Sequence, residues 1–100
     1  MRYVIDIDST ICVPGKTDEE RYTGAIPIPE RIDKINKLYD KDNEIIYWTA
    51  RGSNSGIDWY GFTTGQLNSW GCKFHKLICG KEKGSFDMVI DDKAKRIEEI

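Results

Sequence analysis

The sequence predicts an α/β domain with a central parallel sheet between layers of helices, and three observations predict it. Apolar runs of strand length recur at 2–7, 44–48, 74–79 and 87–91. Helical patterns at 28–40 and 56–70 lie between the first three, and alternating strand and helix imply a parallel sheet. The runs "YVI" and "IIYW" are nearly continuous rather than alternating, as strands covered on both faces are. The expected architecture is a three-layer Rossmann-like sandwich built as one domain over residues 1–100.

Taken in order, residues 2–7 form the first strand, and residues 11–27 read as a long loop punctuated by Pro14, Gly15, Gly24 and Pro27. Loops of that length in small domains are often functional. Residues 28–40 read as a helix with Ile28, Ile32, Ile35, Leu38 and Tyr39 on one stripe and Pro29 in its first turn. The strand at 44–48 follows. The helix expected over 56–70 carries Ile57, Tyr60, Leu67 and Trp70 on one face. Gly61 and Gly65 weaken it, each by about 1 kcal/mol relative to alanine. The remaining strands, 74–79 and 87–91, lead to a closing helix at 92–100.

Composition narrows the function classes. A net charge of −2 argues against general affinity for nucleic acid or acidic membranes. No apolar run approaches membrane-spanning length, and the N-terminus "MRYVIDID" reads as a strand, not a signal peptide. The three cysteines lack zinc-type spacing and fit reduced thiols in a cytoplasm.

Each apolar strand runs into a reactive group. The first ends in Asp6 and Asp8, the second in Thr49 and Arg51, the fourth in Asp91 and Asp92, and "GKEK" with Lys81 and Lys83 lies after the third. Ligands of open parallel sheets bind beyond the carboxyl ends of the strands, so one crevice is expected to collect these groups. Four carboxylates together need a counter-charge. A hard divalent cation with oxygen ligands supplies it, and magnesium fits best.

"DIDST" at 6–10, Thr49 in "YWTAR", Lys81 in "CGK" and "VIDDKA" at 89–94 resemble the four ordered motifs of the haloacid dehalogenase-like (HAD) phosphohydrolases. The resemblance spans essentially the whole chain. The "WTARG…DW…QL…WG" texture is similar to small members linked with capsule or other surface-polysaccharide biosynthesis. Ser9 stands where the commoner family residue is glycine, and Glu82 where proline is expected after the lysine.

The resemblance implies a capless phosphatase that hydrolyses a phosphate monoester through an aspartyl-phosphate, a sugar phosphate being one candidate substrate. Asp6 would be the nucleophile, and Asp8 the acid and then the base, its backbone carbonyl also ligating magnesium. Thr49 and Lys81 would hold the phosphoryl group, Lys83 being the competing lysine. Asp6, Asp8, Asp91 and Asp92 would form the metal site, either of the last two being the direct ligand. Ser9 and Thr10 would line the substrate site, and Arg51 would hold a distal anion. Each has a plainer reading: a loop-capping carboxylate, a turn hydroxyl, a solvated lysine, an acid pair at a helix start.

No insertion is large enough for a cap, so loop 11–27, with "KTDEERY" at 16–22, is expected to act as a flap, aided by a second subunit in a homo-oligomer. "PGKT" at 14–17 is not a phosphate-binding P-loop, because Thr10 stands where the motif needs glycine. The rival readings are a receiver-like signalling domain and a catalytically silent metal- or phosphate-binding domain. His75 reads as a strand-edge residue and the three tryptophans as core or interface.

Overall fold

The computed structural model describes residues 1–80 and 88–90. Four strands form one parallel sheet: β1 (Arg2–Asp6), β4 (Glu44–Thr49), β5 (Lys76–Cys79) and β6 (Met88–Ile90), in the order β5-β4-β1-β6. The short strands β2 (Cys12–Val13) and β3 (Ile26–Pro27) pair antiparallel as a separate ribbon. Helix α1 (Pro29–Asp40) joins β3 to β4, and α2 (Tyr60–Ser69) precedes β5. The chain is therefore a small α/β structure with a parallel sheet. The closing helix expected at 92–100 lies outside the described residues. Among the described residues, no helix is long and apolar enough to cross a membrane.

Register explains the core. Tyr3 lies beside Ile45 and Ile5 beside Tyr47, and Tyr47 in turn lies beside Leu77. Parallel partners point to the same face. Ile5, Ile45, Tyr47 and Leu77 meet Ile32 and Ile35 of α1 and Leu67 of α2 in one buried cluster. Both described helices thus cover the same face. Val4 and Ile46 alternate to the other face and are buried as well.

Helix α1 begins as the sequence indicates, with Ile28 at the N-cap and Pro29 just inside, where its missing N–H costs nothing. Its stripe narrows to Ile32 and Ile35 as the fully buried pair. Helix α2 differs more. It starts at Tyr60, and Ile57 and Tyr60 are exposed rather than core residues, while Thr63 and Leu67 are the buried positions. The reason is polar: Thr63 faces a buried arginine, so this helix docks by hydrogen bonding as well as by apolar contact.

Residues 11–27 also differ from the expected open loop. Val13 lies beside Ile26 and Cys12 beside Pro27, so the segment is a hairpin with a closed tip. The Gly15 N–H donates to Arg21 O at 2.9 Å and the Gly24 N–H to Glu20 O at 2.7 Å. Glycine is required at 15, because a Cβ there would lie 1.9 Å from Glu20 O. At the far edge of the sheet, His75 Nδ1 accepts the Ile45 N–H at 3.0 Å while the His75 backbone N–H donates to Ile45 O at 2.9 Å, so backbone and side chain together extend the ladder between β4 and β5.

Ile35→Ala removes a fully buried side chain from the sheet–helix interface. It is expected to lower unfolding free energy by about 2–5 kcal/mol. Ile26→Ala, on the exposed ribbon, is expected to cost less than about 0.5 kcal/mol. Urea titration of the two variants checks the contrast.

Candidate functional site

The order β5-β4-β1-β6 steps from β1 outward through β4 to β5 and then returns to the other side of β1. A crevice opens beyond the carboxyl ends of strands where the order reverses in this way. Asp6 closes β1, and the chain turns at once: the Thr10 and Ile11 N–H groups both donate to Ile7 O, and the Ser9 N–H donates to Cys12 O at 3.1 Å. Ser9 adopts φ +69° there, in the left-handed region that glycine adopts freely. The turn sets Asp6, Asp8 and Ser9 on one cleft of about 350 Å³, completed by Pro14, Arg21, Tyr22, Trp48, Ala50 and Arg51.

Arg51 organises this cleft from below. Its side chain is fully buried and paired with Asp8, whose side chain retains 24% exposure. Nε donates to Asp8 Oδ2 at 3.1 Å and Nη2 to Asp8 Oδ1 at 2.8 Å, a bidentate pair. Nη1 donates to Thr63 Oγ1 at 3.1 Å and to Gln66 Oε1 at 2.8 Å. The guanidinium also lies 4.6 Å from the centre of the Tyr22 ring, within cation–π range. Thr49 adds a third contact to the acid, its hydroxyl donating to Asp8 Oδ2 at 3.0 Å while accepting the Arg51 N–H at 3.2 Å.

The sequence-derived site residues therefore separate into groups. Asp6, Asp8, Ser9 and Arg51 share the cleft. Thr49 is buried with its hydroxyl on Asp8, and Arg51 points its fork at Asp8 rather than outward toward a distal anion. Thr10 is buried and outside the cleft lining; its carbonyl accepts from Arg31 Nη1 at 3.1 Å, and its hydroxyl has no hydrogen-bond partner among the described residues. Lys81, Asp91 and Asp92 lie outside the described residues. Among the described residues no group of three or more His, Cys, Asp or Glu side chains is arranged to hold a metal. Asp6 and Asp8 supply two carboxyl groups, which suits a magnesium ion held by one or two carboxylates, water and substrate oxygens. The Asp8 side chain is engaged by Arg51 and Thr49.

Gln66 and Thr63 were not singled out by the sequence. The signal is there in outline: they stand three apart on a helix with weak apolar patterning, on the face that carries Leu67. Gln66 also donates from Nε2 to Tyr22 O at 2.8 Å, tying the flap to the arginine. Tyr22 in turn packs edge-on against Trp59, with ring centres 5.0 Å apart.

Two thiols are held protonated. Burial, aided by the negative charge of Asp8, pushes Cys12 up to about 12 from an ordinary 9.0. Burial takes Cys72 up to about 11.

No family model matches the chain, and no curated protein matches it. Among solved structures, it is similar to the crystal structure of a structural-genomics target from Vibrio cholerae. The two are 25% identical with a TM-score of 0.73, over 99% of this chain and 86% of the other.

Asp8→Ala leaves the Arg51 guanidinium buried without its counter-ion and is expected to cost about 3–5 kcal/mol of stability. Arg51→Met replaces the buried partner with an apolar side chain and leaves Asp8 access to water, so its cost is expected to be smaller. Urea midpoints of the two variants check the order.

The thiols give a pH dependence of fixed sign. Each binds its proton more tightly when folded than when unfolded, so the stability is intact below about pH 9 and falls as pH rises toward 11–12. Cys12→Ala/Cys72→Ala is expected to flatten the decline in urea midpoint between about pH 9 and about pH 11.

Proposed function

We propose that this chain is a magnesium-dependent phosphatase of the HAD-like type, hydrolysing a phosphate monoester through an aspartyl-phosphate on Asp6. The observation that carries the reading is the pairing at the end of β1. Asp6 and Asp8 share one cleft, and Asp8 is fixed by three hydrogen bonds from Arg51 and Thr49. An acid held so firmly beside a second acid at the mouth of a parallel sheet suits a reaction that needs a nucleophile and a separate proton carrier.

In this reading, an Asp6 carboxylate oxygen attacks phosphorus as the ester P–O bond breaks, and Asp8, the carboxylate partner of Arg51 here, first binds a proton on Oδ1, which lacks the Thr49 contact made to Oδ2, and then passes it to the departing alkoxide. Water then attacks the same phosphorus, Asp8 takes its proton, and the Asp6–phosphorus bond breaks to release inorganic phosphate. Arg51 and Thr49 are positioning residues that aim Asp8. Ser9, exposed and on the cleft lining, would contact phosphoryl oxygens. Magnesium, when bound by Asp6 and the Asp8 carbonyl, supplies charge neutralisation on the phosphoryl oxygens. Lys81, Asp91 and Asp92 are assigned to the phosphoryl and metal sites by resemblance alone.

Strand order supports this reading over a receiver-like domain. Counting only the sheet strands along the chain, the order is 3-2-1-4, as in the doubly wound 3-2-1-4-5-6 pattern. Receiver domains follow 2-1-3-4-5, in which the first strand lies between the second and third.

Phosphate release from an aryl phosphate monoester is the direct test. Turnover is expected with magnesium and is expected to be lost in excess chelator. Asp6→Asn is expected to lose at least about 10³-fold in kcat. Arg51→Lys, which cannot form the bidentate pair, is expected to lose about 10²-fold through misplacement of Asp8. Full activity in chelator, or near-wild-type activity of Asp6→Asn, overturns the mechanism.

A further inference from the structure

A second cleft adjoins the first. It has a volume of about 410 Å³ and lies between the flap tip and the segment that follows β4. Arg21, Tyr22 and Ala50 line both clefts, so the two are contiguous. We propose that this second cleft is the leaving-group subsite and that it takes an uncharged, polyhydroxylated group such as a saccharide. The proposal rests on the phosphomonoester reading for the position of the phosphoryl group.

Both walls are built by the chain's own hydrogen bonding. On the flap, the Gly15 N–H donates to Arg21 O and the Glu20 N–H to Thr17 O, closing the tip that carries Asp18 and Glu19. On the opposite wall, the Ser53 N–H donates to Ala50 O at 2.9 Å and the Gly56 N–H to Gly52 O at 3.0 Å. Gly52 permits this fold with φ +86°, and a Cβ there would lie 2.1 Å from Ile57 O. The volume falls within the range of small-molecule sites, about 300–1,000 Å³.

The lining fixes the chemistry. Trp59 lines this cleft and makes T-shaped contacts with Tyr22 and Phe62, with ring centres 5.0 and 5.4 Å apart. Such an indole is an oriented apolar surface for the C–H face of a sugar ring. Asp18 and Glu19 accept hydrogen bonds from hydroxyl groups, and Asn54 both donates and accepts. The two acids repel a second phosphate or a carboxylate. Arg21, the cation of the lining, stands where the clefts join, on the side of the phosphoryl group.

Specificity constants for a hexose 6-phosphate, a hexose 1,6-bisphosphate, a nucleoside 5′-monophosphate and acetyl phosphate test the proposal. The hexose monophosphate is expected to exceed both the bisphosphate and the nucleotide by roughly tenfold or more. Trp59→Ala and Asn54→Ala are each expected to lower the ratio of hexose phosphate to acetyl phosphate by about tenfold. Asn54 is exposed, so its variant keeps the test valid if Trp59→Ala fails to fold. A preference for the bisphosphate or the nucleotide, or a ratio unmoved in both variants, overturns the subsite. Loss of all turnover on the aryl phosphate monoester overturns the hydrolase reading instead. Titration of free hexose against the Trp59 indole NMR signal then decides the subsite: a saturable shift supports it, and no shift overturns it.

Discussion

The candidate site depends on one buried cation. Arg51 sits at the end of β4 with its side chain withdrawn from water, and a guanidinium so placed must be matched by acceptors of fixed geometry. Asp8 supplies two, Thr63 and Gln66 supply the others, and four of the five N–H donors are thereby engaged. The constraint acts in three directions. It locks the turn after β1 against the end of β4, it seats α2 through polar contacts, and it holds the Asp8 carboxylate in a single orientation at the cleft lining. The bidentate pair contributes orientation more than stability, since burying both charges costs much of what their attraction returns.

The same cation links the 11–27 hairpin to Asp8. Tyr22 covers the guanidinium with its ring and accepts from Gln66 through its carbonyl, while Gln66 accepts from Arg51. A displacement of the flap at Tyr22 is therefore felt at Asp8 through one intervening residue. Because Tyr22 also lines both clefts, a group lying against Trp59 touches the element that braces the acid. Under the proposed phosphatase reading, binding remote from phosphorus would in this way improve alignment at phosphorus, which is how remote contacts raise kcat.

Much of this was legible in the sequence, and the reason lies in which residues carry strong local signals. The apolar runs ending in Asp6 and Thr49 located β1 and β4 closely, because parallel buried strands leave little else to read. Ile32 and Ile35 were visible as a stripe for the same reason. Arg51 was named, but its direction was not legible. An arginine two residues beyond a strand reads equally well as reaching outward, and only the three-dimensional meeting of Asp8, Thr63 and Gln66 turns it inward. Ile57 and Tyr60 were assigned to a helix face that the chain does not form, because polar docking at Thr63 rotates α2 away from the apolar choice. The ribbon of β2 and β3 escaped notice because two-residue strands leave no period to detect. Lys81, Asp91 and Asp92 remain sequence assignments beyond the described residues.

Ser9 carries the last step of the argument. A serine at φ +69° bears a steric penalty of about 1 kcal/mol that glycine would avoid. The turn itself does not need the side chain, since its hydrogen bonds run through the Ser9, Thr10 and Ile11 backbone groups. Strain of this kind persists where surrounding structure enforces it and where the side chain has a use. The Ser9 side chain is exposed on the lining of the cleft that holds Asp6 and Asp8. The unfavourable conformation thus adds a hydroxyl at the cleft that Asp6 and Asp8 line, where glycine would leave only backbone.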